Sequence, residues 1–321
     1  MSRYAAIDCG TNSLRLLISQ VDNGQTTELV RTMEIVRLGE GVDETGNLSA
    51  AALARTRAVL ETYADLMLEY RVSDVRMVAT SATRDAANKD AFFRMTAEVL
   101  GCIRPGYCAE VISGEEEAAL SFRGAVADLD PAQGPFCVID LGGGSTECIV
   151  GDHDGTIHGA HSAQMGCVRL TERILGHNPP CDEEIELAAN YVEACLEEVC
   201  ELVPVAKART FVGCAGTFTT LAALALGLEE YDPKAIHNAE LRFDALRLLA
   251  RHLVTETTEQ RAANPVIHPG RADVIAGGSI IVQGILNMAE QHAGVSSLLV
   301  SEKDILDGMI AGLSERAAMM R

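Results

Sequence analysis

A two-domain α/β protein is what this sequence predicts. Three observations lead there: a length of 321 residues, an alternation of strand-like and helix-like segments along the whole chain, and one short pattern that occurs twice. A single domain commonly holds about 50–250 residues, so a chain of this length is expected to build two cores. The repeated pattern lies in IDCGTNSLRLLI and IDLGGGSTECIV. Asp8, Gly10 and Ser13 occupy the same offsets as Asp140, Gly142 and Ser145, and each copy follows one apolar run and precedes another. Both halves therefore open with the same device, a strand, a glycine turn and a second strand.

The elements follow in order from periodicity. Residues Ala5–Ile7, Leu14–Val21 and Glu28–Leu38 read as three successive strands, and Ser49–Tyr70 as a helix whose apolar stripe is Leu53, Leu60, Ala64 and Met67. Asp74–Ala79 is a strand, Ala86–Leu100 a helix, Glu110–Ile112 a short strand and Glu115–Val126 another helix. The segment ADLDPAQGP, residues 127–135, has the Asp, Pro and Gly content of a turn or linker, which sets a first domain of residues 1–126 and a second of 127–302. In the second half Val138–Leu141 and Cys148–Val150 form the glycine hairpin, and Cys181–Leu202, Thr217–Leu228 and Asp244–Thr255 are helical. A strand at Leu298–Val300 and a helix from Lys303 close the chain.

Composition narrows the function. Hydrophobic residues at 48% and charged residues at 22% give the profile of a soluble globular protein. No apolar run approaches a membrane span, and MSRYAAIDCG enters a core-like strand at once instead of reading as a signal peptide, so cytoplasmic residence and no membrane partner are expected. The ten cysteines form no CxxC pair, and Cys9, Cys137, Cys148 and Cys214 lie in apolar runs, which suits small buried thiols better than disulfides or a metal cluster. A net charge of −20 lacks the basic face that nucleic acid requires.

The hairpins carry the candidate chemistry. Gly142, Gly143 and Gly144 have no Cβ, so an oxyanion can approach their main-chain N–H groups, while Asp140 and Glu147 flank the turn as a carboxylate pair. A glycine hairpin with solubilising acids at its ends would show the same residues; the occurrence of the device at the head of both halves favours phosphate. A third glycine turn, FVGCAGTFTTLAAL with Gly213 and Gly216, ends a strand and opens a helix whose first N–H groups suit an anion or a nucleotide. Neither GxxxxGK[ST] nor GxGxxG occurs. The histidines, His237 and His268 among them, have no metal-ligand spacing and are assigned no chemistry.

Four segments, AAIDCGTNSLRLLI, VATSATRDAANKDAF, VISGEEEAALSFRGA and VIDLGGGSTECIV, make the chain resemble the exopolyphosphatase and guanosine pentaphosphate phosphohydrolase family. That family belongs to the superfamily of actin, sugar kinases and heat-shock chaperone ATPases. GCVRLTER, GCAGTF and RADVIAGGSIIV extend the resemblance over nearly the whole chain, and SATRDA and SGxEEA are not shared with kinases or actin. The resemblance implies two ribonuclease H-like (actin-like ATPase) domains with mixed sheets and an active-site cleft between them, and a C-terminal helix, residues 303–321, packed back on the first domain. It also implies Mg²⁺-dependent hydrolysis of the terminal phosphoanhydride of inorganic polyphosphate or guanosine pentaphosphate. Long family members add a helical C-terminal region that has no counterpart here. With the acidic charge, its absence leads to the expectation of a preference for short polyphosphates.

The resemblance also assigns roles. Ser113 and Glu116 have capping-box spacing, which makes Glu116 structural. Glu117 matches the general base that activates water; otherwise it is one more acid in a first helical turn, where the dipole favours acids. The N–H groups of Asn12, Ser13, Gly142, Gly143, Gly144, Ser145 and Thr146 would cradle phosphates, with Arg84 as a forked donor. Arg169 is a phosphate contact or a surface arginine at a helix start. Asp140 and Glu147 would hold Mg²⁺, directly or through waters, with Asp8 as an additional ligand. A kinase of the same superfamily and a nucleotide-gated, actin-like assembly protein are the alternatives. A homodimer is the one assembly considered, and the sequence leaves the oligomeric state open.

Overall fold

The computed structural model describes residues 2–22 and 25–319. Its contacts divide the chain into two compact units, one of Met1–Leu120 with Ile305–Arg321 and one of Ser121–Asp304. The strands of the first are β1 (Ser2–Cys9), β2 (Ser13–Asp22), β3 (Gln25–Ile35), β4 (Asp74–Ala79) and β5 (Glu110–Val111). They form one sheet in the order β3-β2-β1-β4-β5, in which β3, β2 and β1 pair antiparallel and β1, β4 and β5 pair parallel. The helices are α1 (Val42–Thr45), α2 (Ala50–Glu69), α3 (Ser81–Asp85), α4 (Lys89–Leu100) and α5 (Gly114–Val126), the last of which runs on into the second unit.

Alternation along β1 shows why both faces of this sheet must be covered. Ala5, Ile7 and Cys9 point to a core completed by Leu60, Tyr63 and Met67 of α2 and Phe92 of α4, whereas Tyr4 and Ala6 point to the opposite side. The apolar stripe read from the sequence of α2 is buried at Leu60, Ala64 and Met67, with Leu53 half-buried at its margin.

The second unit holds β6 (Phe136–Leu141), β7 (Thr146–Gly151), β8 (Ile157–Ala163), α6 (Cys167–Ile174), α7 (Asp182–Leu202), β9 (Thr210–Cys214), α8 (Ala215–Ala225), α9 (Pro233–Ile236), β10 (Ala239–Arg242), α10 (Phe243–Thr255), α11 (Thr258–Ala262), α12 (Ile275–Ala293) and β11 (Ser297–Ser301). Its sheet runs β10-β11-β9-β6-β7-β8, with β6, β7 and β8 antiparallel and β6, β9 and β11 parallel. Setting β6 on β1, β7 on β2 and β9 on β4 reproduces the strand order and directions of the first sheet, so the repeat seen in sequence is a repeat of topology. Helix α13 (Ile305–Met319) follows β11, and its Ile305, Met309, Ile310 and Leu313 pack with Tyr4, Ala6, Leu17 and Val78 of the first unit's sheet.

Three local expectations are corrected. The third strand starts at Gln25 and ends at Ile35 instead of spanning Glu28–Leu38. Beyond it, Val36 and Arg37 turn to donate their N–H groups to the Asn12 carbonyl at 3.0 and 2.8 Å, and Arg37 takes a left-handed φ of 49°. The helix expected from Ala86 begins at Lys89, because Ala87 N–H donates to Gly46 O at 2.9 Å and the Asn88 side chain bonds both backbone groups of Leu48, which an uninterrupted helix would prevent. The turn of helix before it, α3, was not anticipated. Nor does the sequence pattern announce α12, since it is buried on most sides and shows no polar stripe. Its glycines admit neighbours closely: a Cβ on Gly278 would lie 2.5 Å from Thr217 Oγ1 and one on Gly284 2.6 Å from Val192 Cγ1.

None of the ten cysteines is in a disulfide. Among the described residues no helix is long and apolar enough to cross a membrane.

Candidate active site

The two glycine hairpins share one closing bond. Gly10 N–H donates to Ser13 O at 3.0 Å in the first, and Gly142 N–H donates to Ser145 O at 3.0 Å in the second. The N–H of Gly142 thus closes its turn and faces inward.

What the remaining turn N–H groups face follows from where the carbonyls go. In the second hairpin the carbonyl of Gly142 accepts from Cys167 N–H at 3.1 Å, and that of Gly143 from Val168 and Arg169 N–H at 2.9 and 3.1 Å. These donors are the first N–H groups of α6, which have no partner within their own helix. A trans peptide points its N–H opposite its C=O, so the N–H groups of Gly143 and Gly144 are turned away from α6. Gly166 makes the approach possible, because a Cβ there would stand 2.4 Å from the carbonyl carbon and oxygen of Gly143. In the first hairpin Thr11 O accepts from Gly39 N–H at 2.9 Å and Asn12 O from Val36 and Arg37 N–H, which turns the N–H groups of Asn12 and Ser13 the other way. Each unit therefore presents main-chain donors from its glycine turn. Ser145 and Thr146 are buried, and the Thr146 hydroxyl is spent on Met165 O at 2.6 Å.

The charges beside the turns differ between the copies. Asp8 and Asp140 are both buried, one turn flank each. Directly across the antiparallel pair from Asp8 stands Arg15, whose Nε and Nη2 reach Asp8 Oδ2 at 2.9 and 2.7 Å. Across from Asp140 stands Glu147, itself buried. One backbone device thus carries a neutralised ion pair in the first unit and two facing carboxylates in the second. Asp140 Oδ2 accepts from the Ser121 hydroxyl at 2.5 Å, and Glu147 Oε1 from the Ser162 hydroxyl at 2.7 Å. Two hard oxygen donors set side by side in a buried row fit Mg²⁺, which takes one or two carboxylates and keeps waters for the rest of its shell. Asp8, expected as an additional ligand, lies in the other unit and is engaged by Arg15.

Glu117 occupies the first turn of α5 and is buried. Arg84, on α3, donates Nη1 to Glu117 Oε2 and to Ile112 O, each at 3.0 Å. Its Nη2 is buried and has no hydrogen-bond partner among the described residues, which suits a donor awaiting a phosphate oxygen. Ser113 caps the helix by accepting from Glu116 N–H at 3.2 Å, as the capping-box spacing implies, but the Glu116 carboxylate is taken by Arg76, which also holds Glu110 at 3.0 Å. Arg169 is buried on α6 instead of lying on the surface, and its Nη1 donates to Gln164 Oε1. The third glycine turn does end a strand, β9, and open a helix, α8; over it the Arg271 guanidinium sits so close to Gly216 that a Cβ would fall 2.4 Å from its Cζ.

Within the first unit the fold brings together Asp8 with Arg15 and Arg84 with Glu117; within the second it brings together the glycine turn, α6 with Arg169, and the Asp140–Glu147 pair. Sequence reasoning missed Arg15, Ser121 and Ser162. Counting residues outward from the hairpin turn would have placed Arg15 opposite Asp8. Ser162 stands opposite Glu147 in the β7/β8 register, and Ser121 arrives from a helix, so neither is visible without the tertiary structure. The one metal-ligand cluster among the described residues, His177, Cys181 and Glu184, is a helix cap at the start of α7. There the hydrogen bond from His177, more than those from the nearby backbone N–H groups, lowers the Glu184 carboxyl to about 2.

Two mixed sheets of repeated topology, each headed by a glycine hairpin, define the two-domain fold of the actin-like ATPases, here with the groups of a phosphate-handling enzyme. The chain belongs to the Ppx/GppA phosphatase family, whose model matches residues 17–312, and is a phosphoanhydride hydrolase. It is 50% identical to exopolyphosphatase 2 of Mycobacterium tuberculosis over 98% of this chain and 99% of that protein. It is 32% identical to a guanosine-5′-triphosphate,3′-diphosphate pyrophosphatase of Vibrio atlanticus over 80% of this chain and 49% of that one. The crystal structure of an exopolyphosphatase-like protein superposes with a TM-score of 0.91 at 36% identity, covering 98% of this chain and 99% of that chain.

Proposed function

We propose that this protein removes the terminal phosphate of inorganic polyphosphate by hydrolysis, with guanosine pentaphosphate as the other substrate that the same chemistry accepts. The observation that carries the reading is the pair of glycine hairpins whose carbonyls are tied back, so that main-chain N–H groups are presented to an anion. The extent of identity to an exopolyphosphatase over full length favours polyphosphate as the principal substrate.

In this scheme phosphate oxygens are taken in the second unit by the N–H groups of Gly143 and Gly144, and in the first unit by those of Asn12 and Ser13 with the Nη2 of Arg84. Glu117, fixed through Oε2 by Arg84, accepts a proton from water through its carboxylate as that water attacks the terminal phosphorus. The new P–O bond forms as the bridging P–O bond breaks, releasing orthophosphate and a chain one unit shorter. Asp140 and Glu147 would hold Mg²⁺, which when bound supplies charge neutralisation for the phosphate oxygens.

A phosphate-release panel over polyphosphates, guanosine pentaphosphate, ATP and a phosphomonoester, with Mg²⁺ and with chelator, tests the substrate. Release from polyphosphate that needs the metal is expected, with little from the monoester. Product only when an alcohol acceptor is present would make the protein a kinase instead. Glu117→Gln keeps the shape and loses the proton acceptor, so turnover should fall by roughly a hundredfold or more while substrate still binds. Turnover near the parent's would take the base role from Glu117.

A further inference from the structure

The carboxylate pair poses a problem that the proposed chemistry does not answer by itself: two carboxyl groups face each other across adjacent strands, at a spacing of about 5 Å between Cβ atoms, with Glu147 at 1% exposure and Asp140 at 7%. Burial of that kind requires hydrogen-bond donors that hold each carboxyl group in one orientation. A serine hydroxyl is directed at each. Ser121, with no exposure, donates to Asp140 Oδ2 at 2.5 Å, and Ser162 donates to Glu147 Oε1 at 2.7 Å. An ionised carboxylate only accepts, so both hydroxyl protons are committed to the pair.

We infer that Ser121 and Ser162 are positioning residues for the divalent cation, each fixing the rotation of one carboxylate about its last bond and thereby the direction in which it meets the ion. The inference rests on the reading that Asp140 and Glu147 hold the metal. The two serines come from different directions. Ser162 lies on β8 directly opposite Glu147, so that Asp140, Glu147 and Ser162 form one row across β6, β7 and β8. Ser121 lies on α5 one turn after Glu117, so the helix that presents the candidate base also carries the hydroxyl on Asp140. Donors to metal-bound carboxylates commonly govern affinity by about 10–100-fold when removed.

Calorimetric titration of Mn²⁺ into the substrate-free full-length protein, with the bound-Mn²⁺ electron paramagnetic resonance signal as a second readout, tests this without relying on activity. Ser121→Ala and Ser162→Ala should each weaken Mn²⁺ binding by about tenfold or more, and Ser162→Thr, which restores the hydroxyl in a strand, should recover it. A purely structural role would lower thermal stability and leave Mn²⁺ affinity and the resonance line shape unmoved. If both alanine variants bind Mn²⁺ as the parent does while Asp140→Asn with Glu147→Gln abolishes binding, the positioning role is overturned and the metal reading stands. If the double carboxylate variant binds Mn²⁺ like the parent, the metal reading itself fails, and the role of the serines with it. Should Ser121→Ala not fold, Ser162→Ala on the half-buried strand still decides.

Discussion

Arg84 shows how much one side chain can be asked to do. Its guanidinium spans Glu117, the Ile112 carbonyl and, through the buried Nη2, the position assigned to a phosphate oxygen. Only a planar fork serves three acceptors in fixed directions; a lysine ammonium keeps the charge but on a compact head. Arg84→Lys is therefore expected to retain the fold and lose about 10–100-fold in kcat/KM, measured by steady-state phosphate release. A kcat/KM equal to the parent's would show that charge alone suffices there. Neighbouring glutamates in the same turn illustrate what a residue's sequence context reveals. Ser113 and the spacing to Glu116 announce a helix cap, and the cap is present. That Glu116 turns its carboxylate to Arg76 while Glu117 turns to Arg84 depends on arginines 40 and 33 residues away in the chain.

At the scale of elements, the working unit of the second half is a hairpin and the helix behind it. The N-terminus of α6 takes the Gly142 and Gly143 carbonyls, and Gly166 is the residue that permits the contact. A methyl group there would meet backbone atoms, which have no alternative position without moving the turn. Gly166→Ala should consequently raise KM for polyphosphate by about tenfold or more, by disturbing the N–H groups of Gly143 and Gly144, with a lowered melting temperature read in parallel. Unchanged KM with unchanged melting temperature would mean that the loop can yield, and that the tied-back carbonyls do not set the cradle. The hairpin was legible because glycines, an acid and flanking apolar runs are local signals. Helix α12 was not, because a helix buried on most sides has no polar stripe to mark its period. The break between α3 and α4 was hidden for another reason: it is imposed by bonds to residues 46–48 of a different segment.

For the whole molecule, the repeat and the return of the C-terminal helix matter most. The sheet of the first unit is complete only when α13 covers the face bearing Tyr4, Ala6, Leu17 and Val78, with Met309 fully buried among them. Met309→Ala should cost about 2–5 kcal/mol by the transfer and cavity terms together, seen as a lower midpoint in guanidinium denaturation. A loss below about 0.5 kcal/mol, the range of surface substitutions, would show that α13 is not part of the first unit's core. The sequence by itself determined the α/β class, the two glycine hairpins and the family, because each is written in spacing between near neighbours. The tertiary structure alone decided which residues of separate segments meet. Asp140 and Glu147 face each other within one hairpin, yet each takes its serine hydroxyl from another element, Ser121 for Asp140 and Ser162 for Glu147, and Glu117 takes Arg84. The physical reason is that sheet register and helix packing bring together groups 19 to 40 residues apart, as for Ser121 with Asp140 and Arg76 with Glu116, and no local pattern encodes a distance in space.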